Sequence, residues 1–423
     1  MFEIKGIYNT AQVFADSIEN EALSQIMNLC NQSWTEGLKI AIMPDCHAGK
    51  GCTIGTTMTI KDKVCPNLVG VDIGCGMLTV QLPFTLEQSD LKSLDDFINQ
   101  KIPSGFSVNK ERLYQPKEED LYLENLRCFN KLKNYELLEK SVGSLGSGNH
   151  FIEIDKDDEG QQYLVIHTGS RNLGKQVAEI YQKLADEHCN NQKKVRKLEE
   201  EQLILSLINS GKKNLIQSEL EKLRKTYQAE KVDDKELCYL EGQSLDDYLH
   251  DMEICQHFAE TNRKMIALSI LNHLFQQKGL HCDVKKQWKE GTFNKFETVH
   301  NYINFKDKIL RKGAISAHTG EKVLIPINMR DGAIIGMGKG NSEYNYSGPH
   351  GAGRLMSRSK AKASINMKEF EDSMKGIYST SVTLSTLDES PMSYKPMDEL
   401  LKNITDSIDV CTSIKPIYNY KAH

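Results

Sequence analysis

A mixed α+β fold is what the sequence predicts, on two patterns. Strand-like runs punctuated by glycine and proline cluster in residues 38–80 and 143–171 and recur beyond Val299, whereas a long helical region separates them, from about Gly174 to Gln277. Short β-rich runs that end in Gly or Pro suggest buried strands whose loops present side chains. At 423 residues the chain exceeds the usual single-domain size, so one large domain or two intimate ones both fit.

Element by element, Asn20–Cys30 predicts an amphipathic helix, and Leu38–Met43 and Thr53–Ile60 predict strands. Residues 86–140 read mainly as helices with polar connections. Gly143–Ile154 and Tyr163–Arg171 return to strand and loop. Within the long helical region, residues 193–231 carry Leu198, Leu203, Leu205, Leu207 and Ile208, then Gly211, then Leu215, Ile216, Leu220 and Leu223 among charges. Two amphipathic helices joined at a glycine turn are the simplest interpretation, an αα-hairpin insertion projecting from the body. Ala314–Ser316, Val323–Ile327 and Ala333–Ile335 predict further strands, and the C-terminus a helix and a last strand.

Hydrophobic content of 39% with 26% charged residues is ordinary for a soluble globular chain. No apolar stretch nears the ~20 residues of a membrane span, and Met1–Gly6 lacks a signal-peptide pattern, so a cytoplasmic location is expected. Eleven scattered cysteines without a CxxC pair argue for reduced thiols. The net charge of −5 gives no global attraction to nucleic acid. A local strip, Arg354, Arg358, Lys360 and Lys362, is placed to carry phosphate contacts.

The chemistry lies in glycine- and amide-flanked motifs. Asp72 and Cys75 share a tight Gly-rich loop; a thiolate can bridge two metal ions while a carboxylate helps hold one. His150 follows Asn149 at the start of an alternating stretch that puts Phe151 on one face and His150 with Ile152 on the other. His167 ends an apolar run, and the Thr-Gly-Ser-Arg171 after it suits an anion. His300 is followed by Asn301. One carboxylate, one thiolate and several imidazoles form a mixed hard and soft set that suits a transition metal. His350, within Gly348-Pro-His-Gly-Ala-Gly353, sits among phosphate-binding amides. Such an imidazole fits attack on a phosphoryl group when a carboxylate such as Asp45 orients it; the alternative is a further metal ligand. His47, in Pro44-Asp45-Cys46-His47, is left a supporting or structural position.

At these residues the chain resembles the RtcB family of GTP-dependent RNA ligases. The motifs are Met43-Pro-Asp-Cys-His-Ala-Gly-Lys-Gly51, Gly70-Val-Asp-Ile-Gly-Cys-Gly-Met77, Leu145-Gly-Ser-Gly-Asn-His-Phe-Ile-Glu153 and His167-Thr-Gly-Ser-Arg171. They continue with His300-Asn-Tyr302, Pro349-His-Gly-Ala-Gly-Arg354 and Tyr420-Lys421, in order over nearly the whole chain. The resemblance implies a single large α+β domain over residues 1–423, with β-sheets around a metal centre. It implies two Mn²⁺ ions bridged by Cys75, with Asp72 and His150 on the first and His167 and His300 on the second. His350 is the residue that would carry GMP, and Asp45 the acid that positions it. Asn149, His150, Glu153, His300, Asn301, Pro326, Asn328, Met329, Ala333, Gly351, Ala352, Gly353, Tyr394 and Lys421 are implied GTP contacts, Tyr394 by stacking on guanine. Arg171 and Arg354 are implied RNA phosphate contacts.

The implied reaction joins an RNA 3′-phosphate or 2′,3′-cyclic phosphate end to a 5′-hydroxyl, in tRNA splicing or RNA repair. The expected protein is a monomer, with an activating protein as a further partner. The chain departs from the family where Pro-Gly-Ser-Met is common: here Pro326-Ile-Asn-Met329 stands, and Asn328 is expected to donate a hydrogen bond in the pocket. That change and the long 193–231 hairpin point to a divergent branch.

Overall fold

Alternation along neighbouring strands decides the central layer. Leu78, Val80, Leu164, Ile166, Ile152 and Ile154 point into the main core, while Met77, Val165 and Phe151 fall on the opposite face in a second apolar cluster. A computed structural model, describing residues 1–228 and 234–422, builds these segments into an antiparallel seven-stranded sheet. Its order is Lys295–Val299, Gly76–Gln81, Gln162–Thr168, Phe151–Lys156, Ile408–Lys421, Gly332–Gly338 and Lys322–Asn328. The Gly242–Gln277 helix lies on the main-core face, between the Gln88–Lys101 and Arg171–Asn209 helices. Its buried residues, from Leu245 to Phe275, surround much of its circumference because it is packed on several sides.

A second sheet of six strands runs Phe2–Lys5, Thr10–Val13, Ile40–His47, Ile54–Thr59, Ile309–Lys312 and Asn301–Asn304. The two sheets meet at one residue. Lys295–Val299 belongs to the first and Asn301–Asn304 to the second, so His300 sits at the crossing. The mixed α+β architecture is therefore as the sequence predicts. No helix among the described residues is long and apolar enough to cross a membrane.

The Asn20–Cys30 helix and the C-terminal helix and strand fall where expected. The helical region ends at Gln277, as expected. It breaks into Arg171–Asn209, Ile216–Gln228 and Gly242–Gln277, with Gly211 at φ +73° closing the first. The first two helices pack together and are tied by Arg224 on Glu200 at 2.8 Å, as a hairpin requires; residues 229–231 of the expected hairpin lie outside the described residues. Residues 86–140 are less helical than expected. After Gln88–Lys101 only Pro116–Glu119, Tyr135–Lys140 and two 3₁₀ turns interrupt irregular chain.

One buried cation holds the strand ends together. Arg263, 1% exposed, donates through Nη1 to the carbonyls of Gly74 (2.8 Å) and Thr168 (3.0 Å) and through Nη2 to Glu297 (2.7 Å). It joins the Asp72 loop, the end of Gln162–Thr168 and the Lys295–Val299 strand. Removing one partner of a buried pair costs about 3–5 kcal/mol, because the other charge is left uncompensated. Arg263→Met is expected to lower stability by about that amount in urea unfolding; a loss below about 1 kcal/mol would show that Glu297 finds another partner.

Asp155 is fully buried, and neither carboxylate oxygen has a hydrogen-bond partner among the described residues. Burial, then the neighbouring Glu153, push its pKa well above the ordinary value. The folded state thus keeps a proton that the unfolded chain releases near pH ~4. The stability from this group falls as pH rises above that point toward the folded pKa. Asp155→Asn is expected to flatten the decline, read from urea midpoints across pH 5 to 8.

Candidate active site

The sequence-predicted ligands come together in a row. Asp72 Oδ2 lies 3.0 Å from His150 Nε2, which is 3.5 Å from Cys75 Sγ. Cys75 Sγ is 3.3 Å from His167 Nε2, which is 3.4 Å from His300 Nε2. Asp72, Cys75 and His150 form one metal-competent triad and Cys75, His167 and His300 a second, with the thiol common to both. The His350 ring continues the row, its centroid 5.0 Å from that of His300.

Strand ends and backbone bonds set this geometry. Cys75 precedes Gly76–Gln81, and its carbonyl accepts from His300 N–H at 2.9 Å, while Gly74 N–H donates to Asn301 O at 2.7 Å. His167 lies near the end of its strand, directly opposite Phe151. His150 arrives differently from the expectation. It precedes the Phe151–Lys156 strand, so alternation does not govern it, and Phe151 faces the site too, its ring 5.2 Å from His167. Gly169 is required here: a Cβ would sit 2.2 Å from Asp72 Oδ1.

The ring nitrogens show why a cation fits. His150 Nδ1 lies 2.8 Å from Leu145 O and His167 Nδ1 3.3 Å from Asn149 O. A carbonyl only accepts, so each Nδ1 carries the proton and each Nε2 turns a lone pair inward. Those lone pairs face a thiol sulfur, a carboxylate and one another. Acceptors converging in a buried space are unfavourable until a positive ion joins them. Burial pushes the imidazoles of His167 and His300 well below the ordinary range, keeping them neutral as ligands must be. Burial and Asp72 keep the Cys75 thiol protonated, so a metal would have to displace that proton.

His350 is oriented rather than converging. Its Nδ1 donates to Asp45 Oδ2 at 2.7 Å and its backbone N–H reaches the same oxygen at 3.2 Å. Asp45 is wholly buried on the Ile40–His47 strand. Gly353, at φ +78°, lets the loop close on it, since a Cβ would lie 3.0 Å from Asp45 O. With Nδ1 protonated, the lone pair of His350 is on Nε2. His47 is turned back on its own strand, Nδ1 at 3.0 Å from Asp45 O.

A cavity of ≈ 320 Å³ opens beside His350. Asn149, Glu153, Pro326, Asn328, Met329, His350, Gly351, Ala352, Gly353, Tyr394 and Lys421 line it, as do Arg354 and His167. Burial raises the Glu153 carboxyl to about 7, against the lowering pull of Lys421 and the bond from Asn419. Tyr394 has the Arg354 guanidinium 5.0 Å over its ring and donates its hydroxyl to Glu389 at 2.7 Å. Lys421 Nζ reaches Glu389 at 3.1 Å and stands 4.8 Å over Phe151.

Several expected contacts are placed elsewhere. Ala333 is packed in the apolar cluster with Leu324 and Ile414 and is not on the cavity wall. Asn301 accepts from Gly313 N–H at 2.8 Å and lines a neighbouring cavity with Asp72, Cys75 and His300. Asn328 lines the cavity and also builds the turn beside it. Its Oδ1 accepts from the backbone of Arg330 and Asp331, and its Nδ2 donates to Asp331 at 2.8 Å, because the side chain builds the turn between two strands. Ser170 Oγ is spent on Ile73 O at 2.5 Å, not on an anion. Arg171 donates to Ser144 Oγ (3.0 Å) and Gly105 O (2.8 Å).

The basic strip is largely neutralised. Arg354 bonds Met356 O, Asp388 O, Glu389 and the Tyr394 hydroxyl; Arg358 pairs with Asp388 and Glu389, and Lys362 with Asp388. Asp388 and Glu389 are buried and need those cations. The sequence reading missed both acids and Arg263, which lie outside its motifs, and turned Phe151 away from the site.

Imidazoles held neutral around a shared thiol, next to a carboxylate-oriented histidine, define the class: an enzyme site with a metal-competent cluster at the junction of two sheets. A family model described as tRNA-splicing ligase RtcB matches residues 25–422, and the chain belongs to that family. It is 28% identical to the RNA-splicing ligase RtcB of Escherichia coli (strain K12), over 95% of this chain and 94% of the relative. The tRNA-splicing ligase RtcB of Aeropyrum pernix is 26% identical over 92% of this chain and 90% of its own length. RNA-splicing ligase RtcB homolog 1 of Entamoeba dispar is 25% identical over 93% and 79%.

Because Cys75 belongs to both triads, Cys75→Ala is expected to abolish divalent-cation binding altogether in calorimetric titration. His300→Ala is expected to retain the binding that rests on Asp72 and His150. Retention of both in Cys75→Ala would show that the triads do not share the thiol.

Proposed function

We propose that the protein is a GTP-dependent RNA ligase that joins 3′-phosphate or 2′,3′-cyclic phosphate ends to 5′-hydroxyl ends. We take residues 1–423 as one ligase domain, with the 193–231 hairpin as an insertion. The observation that carries the reading is the 2.7 Å bond from His350 Nδ1 to buried Asp45, which leaves Nε2 as a nucleophile at the cavity mouth. Names of the relatives across the chain's length support the RNA substrate.

In this reading GTP lies in the cavity, with guanine against Tyr394 and its N–H edge toward Glu153. His350 Nε2 attacks the α-phosphorus, and pyrophosphate leaves, giving a phosphoramidate to GMP. Asp45 holds the ring and favours the positive charge it acquires. The 3′-phosphate of RNA then takes GMP from His350, and the 5′-hydroxyl of the second end displaces GMP to seal the strand. A cyclic phosphate is first opened by water. Mn²⁺ held by Asp72, Cys75, His150, His167 and His300 would stabilise charge on the phosphate oxygens.

Incubation with α-labelled GTP and Mn²⁺, followed by denaturing electrophoresis, is expected to give a labelled, acid-labile protein band. His350→Ala should abolish it, and Asp45→Asn should slow its formation by about 10²- to 10⁴-fold. An unlabelled wild-type protein would instead favour a phosphoesterase using the same residues without GTP.

A further inference from the structure

His350 is delivered to Asp45 by a short strand, Ser347–Pro349, and that strand starts from an unusual turn. Asn345 and Tyr346 are consecutive and both left-handed, at φ +52° and +51°. Residues with a Cβ rarely adopt that conformation, and a pair of them persists only where the surroundings over-determine it.

A second buried arginine does so. Arg311, wholly buried on the Ile309–Lys312 strand, donates through Nε to Ser347 Oγ at 2.9 Å. Its Nη2 reaches the carbonyls of Tyr346 (3.3 Å) and Asn345 (3.4 Å), the two left-handed residues. Asp307 neutralises it at 2.9 Å, and the Tyr302 ring lies 5.5 Å from it. Ser347 Oγ donates in turn to Asn345 O at 2.7 Å, so guanidinium, hydroxyl and carbonyls close one network. The Asn345 amide fastens the turn to Lys39 O (3.2 Å) and Thr57 Oγ1 (3.1 Å).

Beyond Arg311 the same segment reaches both histidines. Gly313, at φ +56°, faces the His350 ring, and a Cβ there would stand 3.2 Å from its Cε1. Ala314 pairs with Pro349 and donates its N–H to His300 O at 3.2 Å. Arg311 and the turn line neither the cavity beside His350 nor the metal-competent triads. A change in this clamp therefore moves His350 against Asp45 and His300 while leaving the cavity wall and the ligand row in place.

We infer that Arg311 is a positioning residue for His350: by clamping the Asn345–Tyr346 turn it sets the strand that holds the ring on Asp45 with Nε2 toward the cavity. The inference rests on the ligase reading above, in which that nitrogen attacks phosphorus. A lysine in its place keeps a charge for Asp307 but has no planar fork to span Ser347 and the two carbonyls.

The test measures labelling of the full chain by α-labelled GTP without RNA. Arg311→Lys is expected to slow labelling at saturating GTP about 10²-fold, the cost of displacing a reacting group by about 1 Å, with the KM for GTP unchanged. Calorimetric titration with Mn²⁺ should match the wild type. Ser347→Ala, which removes one acceptor and no charge, is expected to show the same change to a smaller degree, and it carries the test if Arg311→Lys does not fold. The proton on His350 Nδ1 should give a far-downfield ¹H resonance, identified by its absence from His350→Ala, that shifts or is lost in Arg311→Lys without GTP present. A wild-type labelling rate with an unmoved resonance would overturn the assignment. So would parallel losses of labelling, GTP affinity and Mn²⁺ binding, which would make Arg311 a structural residue only. A wild type that takes no label from GTP removes the ligase reading instead, and the resonance, which needs no GTP, still decides the positioning role.

Discussion

Arg263 is the interaction on which the site's geometry depends. Its guanidinium reaches Gly74 O, Thr168 O and Glu297, so the loop bearing Asp72 and Cys75, the strand end bearing His167 and the strand leading to His300 are held to one cation. A planar fork with fixed donor directions can do this where a lysine could not. Glu297, a quarter exposed, neutralises the buried guanidinium at 2.7 Å.

Around that anchor the site is built from groups that do not satisfy one another. Nε2 lone pairs, a thiol and a carboxylate face a common space, an arrangement that costs free energy until a cation enters. The cavity beside His350 has the opposite design. There Glu389 is surrounded by Lys421, Arg354, Arg358 and the Tyr394 hydroxyl, a fully paired network that fixes the rings and loops of the wall. The contrast separates the part of the site awaiting a ligand's charge from the part that is already rigid.

Much of this was legible in sequence because each ligand sits in a motif with its own local reason. Asp72 and Cys75 share a glycine-rich turn, and Gly169 and Gly353 stand where a Cβ would strike Asp72 or Asp45. Strands such as Gly76–Gln81 were readable from composition and punctuation. The 102–134 region was misread as helical because scattered apolar residues there anchor irregular chain onto the Gly242–Gln277 helix, as Asp251 shows by accepting from the backbone of Arg127 and Cys128. Residues that act through distant partners left no local trace: Glu389 and Asp388 look like a solvated acidic pair, and Arg354 and Arg358 like a free basic strip, until folding brings them together.

The sequence by itself determined the ligand types, the oriented histidine and the family, since these reside in short motifs whose residue chemistry is intrinsic. Only the tertiary structure decided which ligands share the thiol, which basic residues are already paired, and that a cavity opens beside His350. Those depend on distances between segments far apart in the chain. Two sheets meeting at His300, and one buried arginine joining their ends, set those distances.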